Sequence, residues 1–552
     1  MEKYIITAAF PYTNGYLHIG HLSGVFLPAD ILVRYLKIKK KKVLFISGSD
    51  EHGVPIVIKA KKEKIKEKEI INKYHKSNKY VLKKFKIKLN IFFRTSKKKH
   101  HIFCKKVFKK LYEKKFFLIK KKKQYFDKKY KQFLADRYVI GICPICNYKK
   151  SYSDQCEKCG NFIKEGSLIK PISILSNTVP IYKKTLNFFI NFKKEKKKIF
   201  NLIKKFKKNK KIVKYIKNFL KYGLNERSVT RDLEWGVKLP FKKKFKKKVI
   251  YVWFEAILGY ITSTLNYKKK NLFWKNKKTK LINFIGKDNI LFHSIFFPLI
   301  IKKYNKKYIL PYYINANEFL NLEGKKISTS NNWAIFLRDF LIFFKNKKDV
   351  LRFSLIMDMP IKKDTNFTFK KFILYNNSFL IGILGNFINR SLVLIKKKNK
   401  NKIPIKKKYL KKIDYKVLKK IKKYHKKIEK NIKKLKFTKS IKIFLKLARI
   451  GNKFLSLKKP WKEKNNKKNK STFYVIFKII LNILFFSYFF LPDTNKKLFK
   501  IFNFKKKEKK NFLFKKKYNF LKKNKIKKNK LIFKKLNYKK TIKKFKKFVK
   551  TK

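Results

Sequence analysis

The first hundred residues alternate short apolar runs with segments of helical periodicity. Residues 3–10 are apolar and rich in β-branched side chains, and the run stops at Pro11, which predicts a strand. From His18 to Leu36 the apolar positions recur at helical spacing, and residues 43–47 return to strand character. This order of strand, helix and strand is typical of the start of a parallel Rossmann-type α/β sheet.

The remaining pattern divides the chain into further regions. Strand character returns at residues 249–260, and after about residue 375 the apolar spacing is helical, which predicts an all-α bundle. We expect the first half of the sheet at 1–120, an insertion at 121–235, the second half of the sheet at 236–330, a connecting segment at 331–375, the bundle at 376–503 and a Lys-rich tail at 504–552. Isolated apolar residues among lysines predict that the tail is solvated and weakly ordered, or forms a basic amphipathic helix.

One apolar stretch has about the length of a membrane span. It runs from Thr472 to Leu491, but Lys478, Asn482 and Ser487 interrupt it. The stretch also lies inside the region with helical periodicity. We therefore expect a buried helix of the bundle here, and no membrane.

Lysine dominates the composition. The chain has 153 Lys and Arg against 30 Asp and Glu, a formal net charge of +123, which favours a polyanionic partner such as nucleic acid. Hydrophobic residues make up 44% of the chain, too many for a disordered polycation. Lys, Phe, Ile, Asn and Tyr share A/T-rich codons, so part of the charge is consistent with mutational drift.

Four of the five cysteines form two CxxC pairs in the expected insertion. The pairs are Cys143 with Cys146 and Cys156 with Cys159. Four thiolates at this spacing are typical of a closed tetrahedral zinc site without catalytic function. The pattern therefore predicts one structural zinc ion in a reducing compartment, and not a disulfide framework.

A second candidate site follows the first predicted strand, where His18-Ile19-Gly20-His21 opens a helix. We call these four residues the HIGH motif. A helix N-terminus binds anions through its free N–H groups and its dipole. His18 and His21 share a helix face, and their imidazoles can stabilise charge on a phosphoryl group during transfer. We predict that both are catalytic and that Gly20 lets a nucleotide approach the backbone.

Far downstream, residues 324–330 read GKKISTS, which we call the KISTS loop. Lys325 and Lys326 can neutralise the charge of a departing pyrophosphate, so we predict catalytic roles for both. The loop also carries hydroxyl groups on Ser328, Thr329 and Ser330. Its sequence and its position after the second half of the sheet predict a loop that closes over a triphosphate.

Together these motifs resemble the methionyl-tRNA synthetase family of class I aminoacyl-tRNA synthetases. The resemblance extends to about residue 500 and rests on AAFPYTNGYLHIGH, GSDEHGVPI, CPIC, CEKC, YVWFEAILGY, FIGKDNILFHS, NLEGKKISTS and KKPW. Two positions depart from the family pattern. Glu255 stands where an aspartate is common, and Thr329 replaces the second lysine of the KMSKS signature.

The resemblance implies a catalytic domain of Rossmann type split by a zinc-binding insertion, a stem-contact segment and an anticodon-binding bundle. It also implies a cytoplasmic, monomeric ligase that uses ATP with Mg²⁺ to convert methionine to methionyl-adenylate, and then charges tRNA(Met), including the initiator. ATP would contact Gly20, Gly286, Asp288, Lys326, Ser328, Thr329 and Ser330. Methionine would contact Phe10, Tyr12, Asp50, Trp253, Ala256, Tyr260 and His293. The CAU anticodon would contact Asn386, Arg390 and Trp461.

Side-chain chemistry agrees with these assignments. A thioether suits a pocket lined by aromatic rings, and Asp50 can pair with the substrate ammonium. Trp461 offers a stacking face to an unpaired base, while Asn386 and Arg390, four residues apart on one helix, can bind base edges.

Three alternatives remain open at this point. A class I synthetase for another aliphatic amino acid is the nearest, although the insertion is too short for a typical editing domain. A basic RNA-binding protein descended from a synthetase is the second, and the joint presence of the HIGH histidines, Asp50, Trp253 and Asp288 argues against it. A small-molecule nucleotidyltransferase shares HxGH but needs neither a zinc insertion nor a helical bundle.

Overall fold

The fold is that of a computed structural model of the 552-residue chain. It describes every residue except 1, 135, 154–155, 157, 160–162, 164–165, 242–244, 246, 268–270, 330–331, 400, 402–403, 405–408, 464–465, 516–525, 528–530 and 550–552.

The strands are distributed along the first two thirds of the chain. In chain order they are β1 (Lys3–Ala8), β2 (Lys42–Ser49), β3 (Ile91–Arg94), β4 (Phe117–Asp127), β5 (Gln132–Phe133), β6 (Val139–Ile142), β7 (Ser151–Tyr152), β8 (Ile169–Ser173), β9 (Ile181–Ile190), β10 (Arg227–Ser228), β11 (Thr230–Arg231), β12 (Val249–Ile250), β13 (Thr279–Gly286), β14 (Pro311–Asn317), β15 (Leu320–Leu322), β16 (Lys325–Lys326) and β17 (Thr365–Phe367).

Helices surround the strands and form the last third of the chain. They are α1 (Ile19–His21), α2 (Leu27–Ile38), α3 (Val54–Glu63), α4 (Glu67–Lys84), α5 (Lys98–Glu113), α6 (Lys196–Lys205), α7 (Lys210–Tyr222), α8 (Val252–Glu255), α9 (Gly259–Thr262), α10 (Asn271–Trp274), α11 (Phe297–Tyr304), α12 (Leu337–Phe343), α13 (Lys348–Met357), α14 (Phe369–Leu374), α15 (Asn386–Lys398), α16 (Lys412–Lys433), α17 (Phe437–Lys458), α18 (Asn466–Phe490), α19 (Pro492–Ile501), α20 (Lys506–Lys515) and α21 (Tyr538–Phe548). Wider π-helical turns cover Leu22–Phe26, Phe292–Phe296 and Tyr375–Gly385, and 3₁₀ turns cover Asp136–Tyr138, Ala256–Leu258 and Lys287–Asn289.

A five-stranded parallel sheet of order β14-β13-β1-β2-β3 forms the centre of the first region. Its middle strands are buried, because helices cover both faces of a parallel sheet. The order along the sheet brings together strands from before and after the insertion. The predicted Rossmann-type domain, split by an insertion, is therefore confirmed.

The strand expected over residues 249–260 is wrong beyond its first two residues. Only β12 is a strand, and the chain then continues through α8, a 3₁₀ turn and α9. Nearly all of these side chains are buried. A short, continuous apolar run fits a core helix as well as a strand, so periodicity alone does not distinguish them.

Smaller sheets build the insertion and the segment around the KISTS loop. In the insertion, β4 pairs along its length with β9, and β6 lies between β7 and β8. Further along, β15 lies between β16 and β17. The KISTS loop therefore shares a sheet with residues of the 331–375 segment.

The C-terminal region is a helical bundle in which α18 packs against α16 and α17. Two helical stretches, Phe369–Lys398 and Lys468–Phe490, are long and apolar enough to cross a membrane by length and composition. In the second, 83% of the most apolar window is buried inside the protein. This stretch is thus a core helix of the bundle, as the sequence predicts.

Parts of the Lys-rich tail pack against the body of the protein. Phe545 of α21 is fully buried and stacks on Phe369 of α14, with ring centroids 4.4 Å apart and planes within 3°. Asn377 exchanges two hydrogen bonds with the backbone of Leu536, at 2.9 and 3.0 Å. The tail is therefore not solvated throughout, since burying one Phe side chain contributes about 1.5–3 kcal/mol.

Candidate functional site

Three loops leave the carboxyl ends of neighbouring strands and carry most of the predicted site. Phe10 and Tyr12 follow β1, Asp50 follows β2, and Asp288 follows β13. A bridge between Tyr12 and Asp50 joins the first two loops, with Asp50 N donating to Pro11 O at 2.9 Å. The crevice outside the carboxyl ends of such strands is the usual ligand site of a parallel sheet.

The HIGH motif forms the first turn of the helix after β1. Gly20 N donates to His18 Nδ1 at 3.1 Å, and His18 N donates to His21 Nδ1 at 3.3 Å. Burial lowers the pKa of His18 well below its ordinary value and lowers the pKa of His21 to about 4, so both rings are neutral at pH 7. Because each Nδ1 accepts a hydrogen bond, each neutral ring carries its proton on Nε2. Both side chains can thus donate Nε2–H to a phosphate oxygen.

The KISTS loop lies directly against the HIGH motif. A methyl group at Gly20 would come within 3.4 Å of Ile327 Cδ1. Ile19 N also donates to Ile335 O at 3.0 Å, which attaches the chain after the loop to the HIGH helix. The hairpin turns at Gly324, whose φ of +82° suits glycine. Two separate motifs of the sequence are thus brought together.

The polar residues of the KISTS loop differ in exposure. Lys325 and Lys326 are exposed, and their Nζ atoms lie 5.5 Å from the Trp333 ring and 5.2 Å from the Phe319 ring. Ser328 pairs with Trp333 through two backbone hydrogen bonds of 3.0 and 2.9 Å, and Thr329 is exposed at the tip. Ser330 lies outside the described residues.

Aromatic rings pack against one another next to Asp50, beyond the carboxyl ends of β1 and β2. Phe10 meets Tyr260 edge to face at 5.0 Å, and Tyr12 meets Trp253 in the same way at 5.6 Å. Trp253 stacks on Phe292, with centroids 4.6 Å apart and planes within 12°. Interlocked rings of this kind form a rigid apolar wall.

Two glycines make room for Phe10. A Cβ at Gly48 would lie 2.9 Å from the Phe10 ring, and one at Gly259 would lie 2.7 Å from it. Neither position can carry a larger side chain without moving this ring. No role for these two glycines follows from the sequence alone, and only the packing of β2 and α9 around Phe10 reveals it.

The predicted residues Tyr260 and His293 are joined in the core of the crevice. Tyr260 Oη lies 2.8 Å from His293 Nε2, and His293 Nδ1 lies 2.9 Å from Asn289 O. Because a carbonyl only accepts, Nδ1 carries the proton, and the Tyr260 hydroxyl donates to Nε2. Burial lowers the pKa of His293 to about 4, which agrees with a neutral ring. Ala256 is buried nearby on the segment between Trp253 and Tyr260.

Asp50 is the buried charge of this crevice. Its side chain is 2% exposed, and no residue that the structure describes donates a hydrogen bond to its Oδ1. Burial, and next the negative charge of Glu255, raise the pKa of Asp50 well above its ordinary value. A buried oxygen without a partner is unfavourable, so Asp50 is suited to a ligand that brings a positive charge.

Sequence reasoning missed a network beneath this pocket. Glu255 is fully buried, and its two oxygens lie against His52 Nδ1, at 2.8 Å, and His100 Nε2. His100 Nδ1 also lies 2.8 Å from Thr262 Oγ1. Burial alone would raise the pKa of Glu255, but its contacts with His52 and His100 lower that pKa to about 2. The available signals were His52 within GSDEHGVPI and the departure at Glu255.

The predicted adenosine contacts lie where β13 ends. The Asp288 carboxylate lies against Gly286, so a side chain at position 286 would overlap Asp288 Oδ1. Asp288 and Lys326 both line a cavity of about 1590 Å³ between the sheet and the insertion. Basic side chains from the insertion, among them Lys122, Lys123 and Arg227, line the same cavity. The space therefore suits a large anionic ligand.

The four predicted cysteines converge within the insertion. All their Sγ atoms lie within 4.8 Å of one another, with 4.0 Å between Cys143 and Cys159 and 3.6 Å between Cys146 and Cys156. Four sulfurs at about 2.3 Å from a zinc ion, placed tetrahedrally, would lie about 3.8 Å apart. The four thiols thus fit a single zinc ion.

The predicted anticodon residues lie on α15 and in the connection between α17 and α18. The Arg390 guanidinium lies 5.4 Å from the Trp461 ring, although 70 positions separate them in the chain. Trp461 is 41% exposed, and Asn386 is exposed one helical turn before Arg390 on α15. The structure thus brings Arg390 and Trp461 into contact, and Asn386 lies at the start of the same helix as Arg390.

Comparison with known proteins gives the family. A family model described as tRNA synthetases class I (M) matches residues 4–392. The methionine--tRNA ligase of Cytophaga hutchinsonii is 42% identical over 520 residues, 91% of this chain and 75% of the relative. That of Bacteroides fragilis is 43% identical over 467 residues, 84% of this chain and 68% of the relative. The chain belongs to the methionine--tRNA ligase family. The predicted class I synthetase is therefore confirmed.

A solved structure agrees on the fold of this family member. Mycobacterium tuberculosis methionyl-tRNA synthetase in complex with methionyl-adenylate matches with a TM-score of 0.78 and 17% identity, over 97% of this chain and 100% of that chain. The match covers the sheet, the insertion and the bundle together. The class I architecture therefore extends through the C-terminal helices.

Proposed function

We propose that this methionine--tRNA ligase family member activates L-methionine with ATP and transfers it to tRNA(Met), with the residues predicted above in the roles given there. The observation that carries the proposal is Asp50, a buried carboxylate whose Oδ1 lacks a partner among the described residues, at the edge of an aromatic crevice. An ammonium group satisfies that oxygen, and a thioether fits against the rings of Trp253 and Tyr260. Phe10, Tyr12, Ala256 and His293 complete the methionine pocket.

In the first step an oxygen of the methionine carboxylate attacks the α-phosphorus of ATP. The bond from that phosphorus to the bridging oxygen breaks, and pyrophosphate leaves. His18 and His21 donate Nε2–H to phosphate oxygens whose charge rises during transfer, an assignment supported by the hydrogen bonds at both Nδ1 atoms. Mg²⁺ bound to ATP supplies further neutralisation of the phosphate charge.

The KISTS loop closes over the triphosphate. Lys325 and Lys326 replace the cation that Thr329 lacks, which is supported by their exposure next to the HIGH motif. The hydroxyls of Ser328, Thr329 and Ser330 bind phosphate oxygens. Gly286 and Asp288 bind the adenosine, with Asp288 accepting from ribose hydroxyls.

In the second step a hydroxyl of the terminal adenosine of tRNA attacks the methionyl carbonyl, and AMP leaves. Trp461 stacks on an anticodon base, while Arg390 and Asn386 bind base edges. The contact of Arg390 with Trp461 supports this assignment, because it combines a stacking face with a cation for RNA. The net charge of +123 supports tRNA capture. We further propose that the enzyme is a cytoplasmic monomer that charges both initiator and elongator tRNA.

One zinc ion, held by the four cysteines, stabilises the insertion. Binding energy at such a site is also folding energy. We expect one zinc per chain by elemental analysis, and Cys146→Ser should lose the metal and lower the melting temperature. Cys104→Ser, outside the cluster, is the matched control. Full activity of protein freed of metal would contradict this assignment.

Methionine-dependent exchange of labelled pyrophosphate into ATP, without tRNA, tests the proposed reaction. Exchange with methionine, and not with isoleucine, leucine or valine, is the expected result. Exchange supported by another aliphatic amino acid would assign a different substrate. Absence of exchange, with retained tRNA binding, would indicate a basic RNA-binding protein without catalysis.

A further inference from the structure

A cluster of buried charges lies away from the site above, where the catalytic sheet meets the bundle. Asp30 on α2 accepts hydrogen bonds from Arg34 Nε at 2.7 Å and from Arg352 Nη2 at 3.0 Å. None of the three side chains is more than 1% exposed. Burial opposes the ionisation of Asp30, but the two guanidiniums hold its pKa below the ordinary value. The cluster joins α13 to α2, the helix that continues from the HIGH motif.

Both arginines also bind the C-terminal end of α18. Arg352 donates to Phe490 O at 3.0 Å and to Phe489 O at 3.1 Å, and Arg34 donates to Tyr488 O at 3.0 Å. The last carbonyls of a helix have no partner within the helix and carry partial negative charge. The guanidiniums supply both the missing donors and the matching charge.

The same face of α13 also binds the N-terminal end of the following helix, α19. Asp349, one turn before Arg352, accepts from Thr494 N at 2.6 Å and from Asp493 N at 3.3 Å in the first turn of α19. An acidic group is favourable at a helix N-terminus. One turn of α13 therefore binds both helix ends. The positive Arg352 meets the C-terminal carbonyls of α18, and the acidic Asp349 meets the N-terminal N–H groups of α19.

Because α18 is long, a small change of its direction at the C-terminal end produces a large displacement at its N-terminal end. The helix has 25 residues, which corresponds to about 37 Å. Its first residue, Asn466, comes five positions after Trp461, and its last, Phe490, is held by Arg352. A tilt of about 10° at the held end would move the other end by about 6 Å over that length.

We infer that Arg352 and Asp349 are positioning residues for tRNA charging, which set the direction of α18 and hence the distance between the anticodon surface and the HIGH helix. This inference rests on the proposed anticodon reading. A tRNA can bind the anticodon surface and the active site at once only if the distance between them matches the tRNA. A shift of a few ångströms therefore removes the gain in charging efficiency that anticodon binding provides. Neither residue touches the methionine pocket, so activation does not depend on them.

The full chain carrying Arg352→Lys tests the inference, because lysine keeps the charge but lacks the planar fork of donors. Asp349→Asn is the second variant, on the α19 side. The matched control is Lys348→Met, which removes only the Lys348–Asp493 ion pair of 3.0 Å at the same corner. For each we would measure pyrophosphate exchange, binding of an anticodon stem-loop RNA, charging of full-length tRNA(Met), and the melting temperature.

Either buried variant, if folded, should lower kcat/KM for tRNA charging at least tenfold. Exchange and stem-loop binding should stay within twofold of the parent, and the control should be unchanged in all assays. The inference would be overturned if both variants charged tRNA(Met) as well as the parent. It would also be overturned if pyrophosphate exchange, stem-loop binding and charging all fell to the same extent. If Arg352→Lys does not fold, Asp349→Asn alone decides. Failure of the proposed anticodon assignment is detected by a different variant. If Trp461→Ala charges tRNA(Met) normally, that assignment is wrong, whatever the result for Arg352 and Asp349.

Discussion

The proposed methionine pocket and the proposed anticodon surface use aromatic and charged residues in opposite ways. In the pocket, Asp50 is 2% exposed, and its Oδ1 accepts no hydrogen bond from any residue that the structure describes. At the bundle end, Arg390 and Trp461 already contact each other, and the Trp461 ring is 41% exposed. An unpaired buried charge contributes a large binding free energy to a single small ligand. Exposed groups each contribute a small binding free energy, so several of them are needed to bind a partner. Substitutions should therefore have larger and more local effects in the pocket.

The largest effect is expected for Asp50→Ala. Removing one partner of a buried charge pair costs about 2–5 kcal/mol, or roughly 30- to 4000-fold in the KM for methionine. The KM for ATP should change little. Because none of the described residues donates a hydrogen bond to Asp50 Oδ1, the melting temperature should change little. An unchanged dependence on methionine in pyrophosphate exchange would remove Asp50 from the pocket.

Trp461→Ala should have the next largest effect, confined to tRNA. Loss of one stacked base corresponds to about 1–3 kcal/mol, or roughly one to two decades in charging efficiency. Methionine activation should persist, and Trp461→Phe, which keeps a stacking face, should retain most of the charging. The melting temperature of each variant must match that of the parent. A folded alanine variant with normal charging would mean that the anticodon is read elsewhere.

The pocket should also respond to pH in a way that the anticodon surface does not. Asp50 takes up a proton at a higher pH than an ordinary aspartate, because burial and Glu255 raise its pKa. Only the ionised form pairs with an ammonium group. The KM for methionine should therefore rise as pH falls through the raised pKa, by up to about tenfold per unit. This dependence should be absent in Asp50→Asn, and its persistence there would assign it to another group.

The smallest effect is expected for Tyr260→Phe, which removes the hydroxyl that donates to His293 Nε2 at 2.8 Å. One neutral hydrogen bond contributes about 0.5–1.5 kcal/mol, so the KM for methionine should rise about two- to tenfold. Charging with saturating methionine should stay near the parental rate. Kinetics at varied methionine concentration measure both quantities. An effect as large as that of Asp50→Ala would mean that this hydroxyl has a role beyond orienting the ring.

Local signals in the sequence were sufficient where neighbouring residues determine the structure. The apolar run at 3–10 became β1 (Lys3–Ala8), and the spacing of the four cysteines predicted a cluster that closes in the fold. They were insufficient at residues 249–260, where burial on all sides removed the periodicity that separates helix from strand. The burial of Phe545 was not predicted, because the tail is rich in lysine and composition does not show which single aromatic side chain packs against the body of the protein.

The sequence by itself determined the family, the motifs proposed to bind phosphate and zinc, and the identities of the predicted pocket residues. Tertiary structure decided which of them meet. Ile327 against Gly20, Arg390 against Trp461 and Glu255 between His52 and His100 are contacts between distant segments. It also decided that Arg352 and Asp349 hold the ends of α18 and α19. Propensity and spacing act over a few residues, whereas desolvation and pairing of buried charge depend on which surfaces pack together.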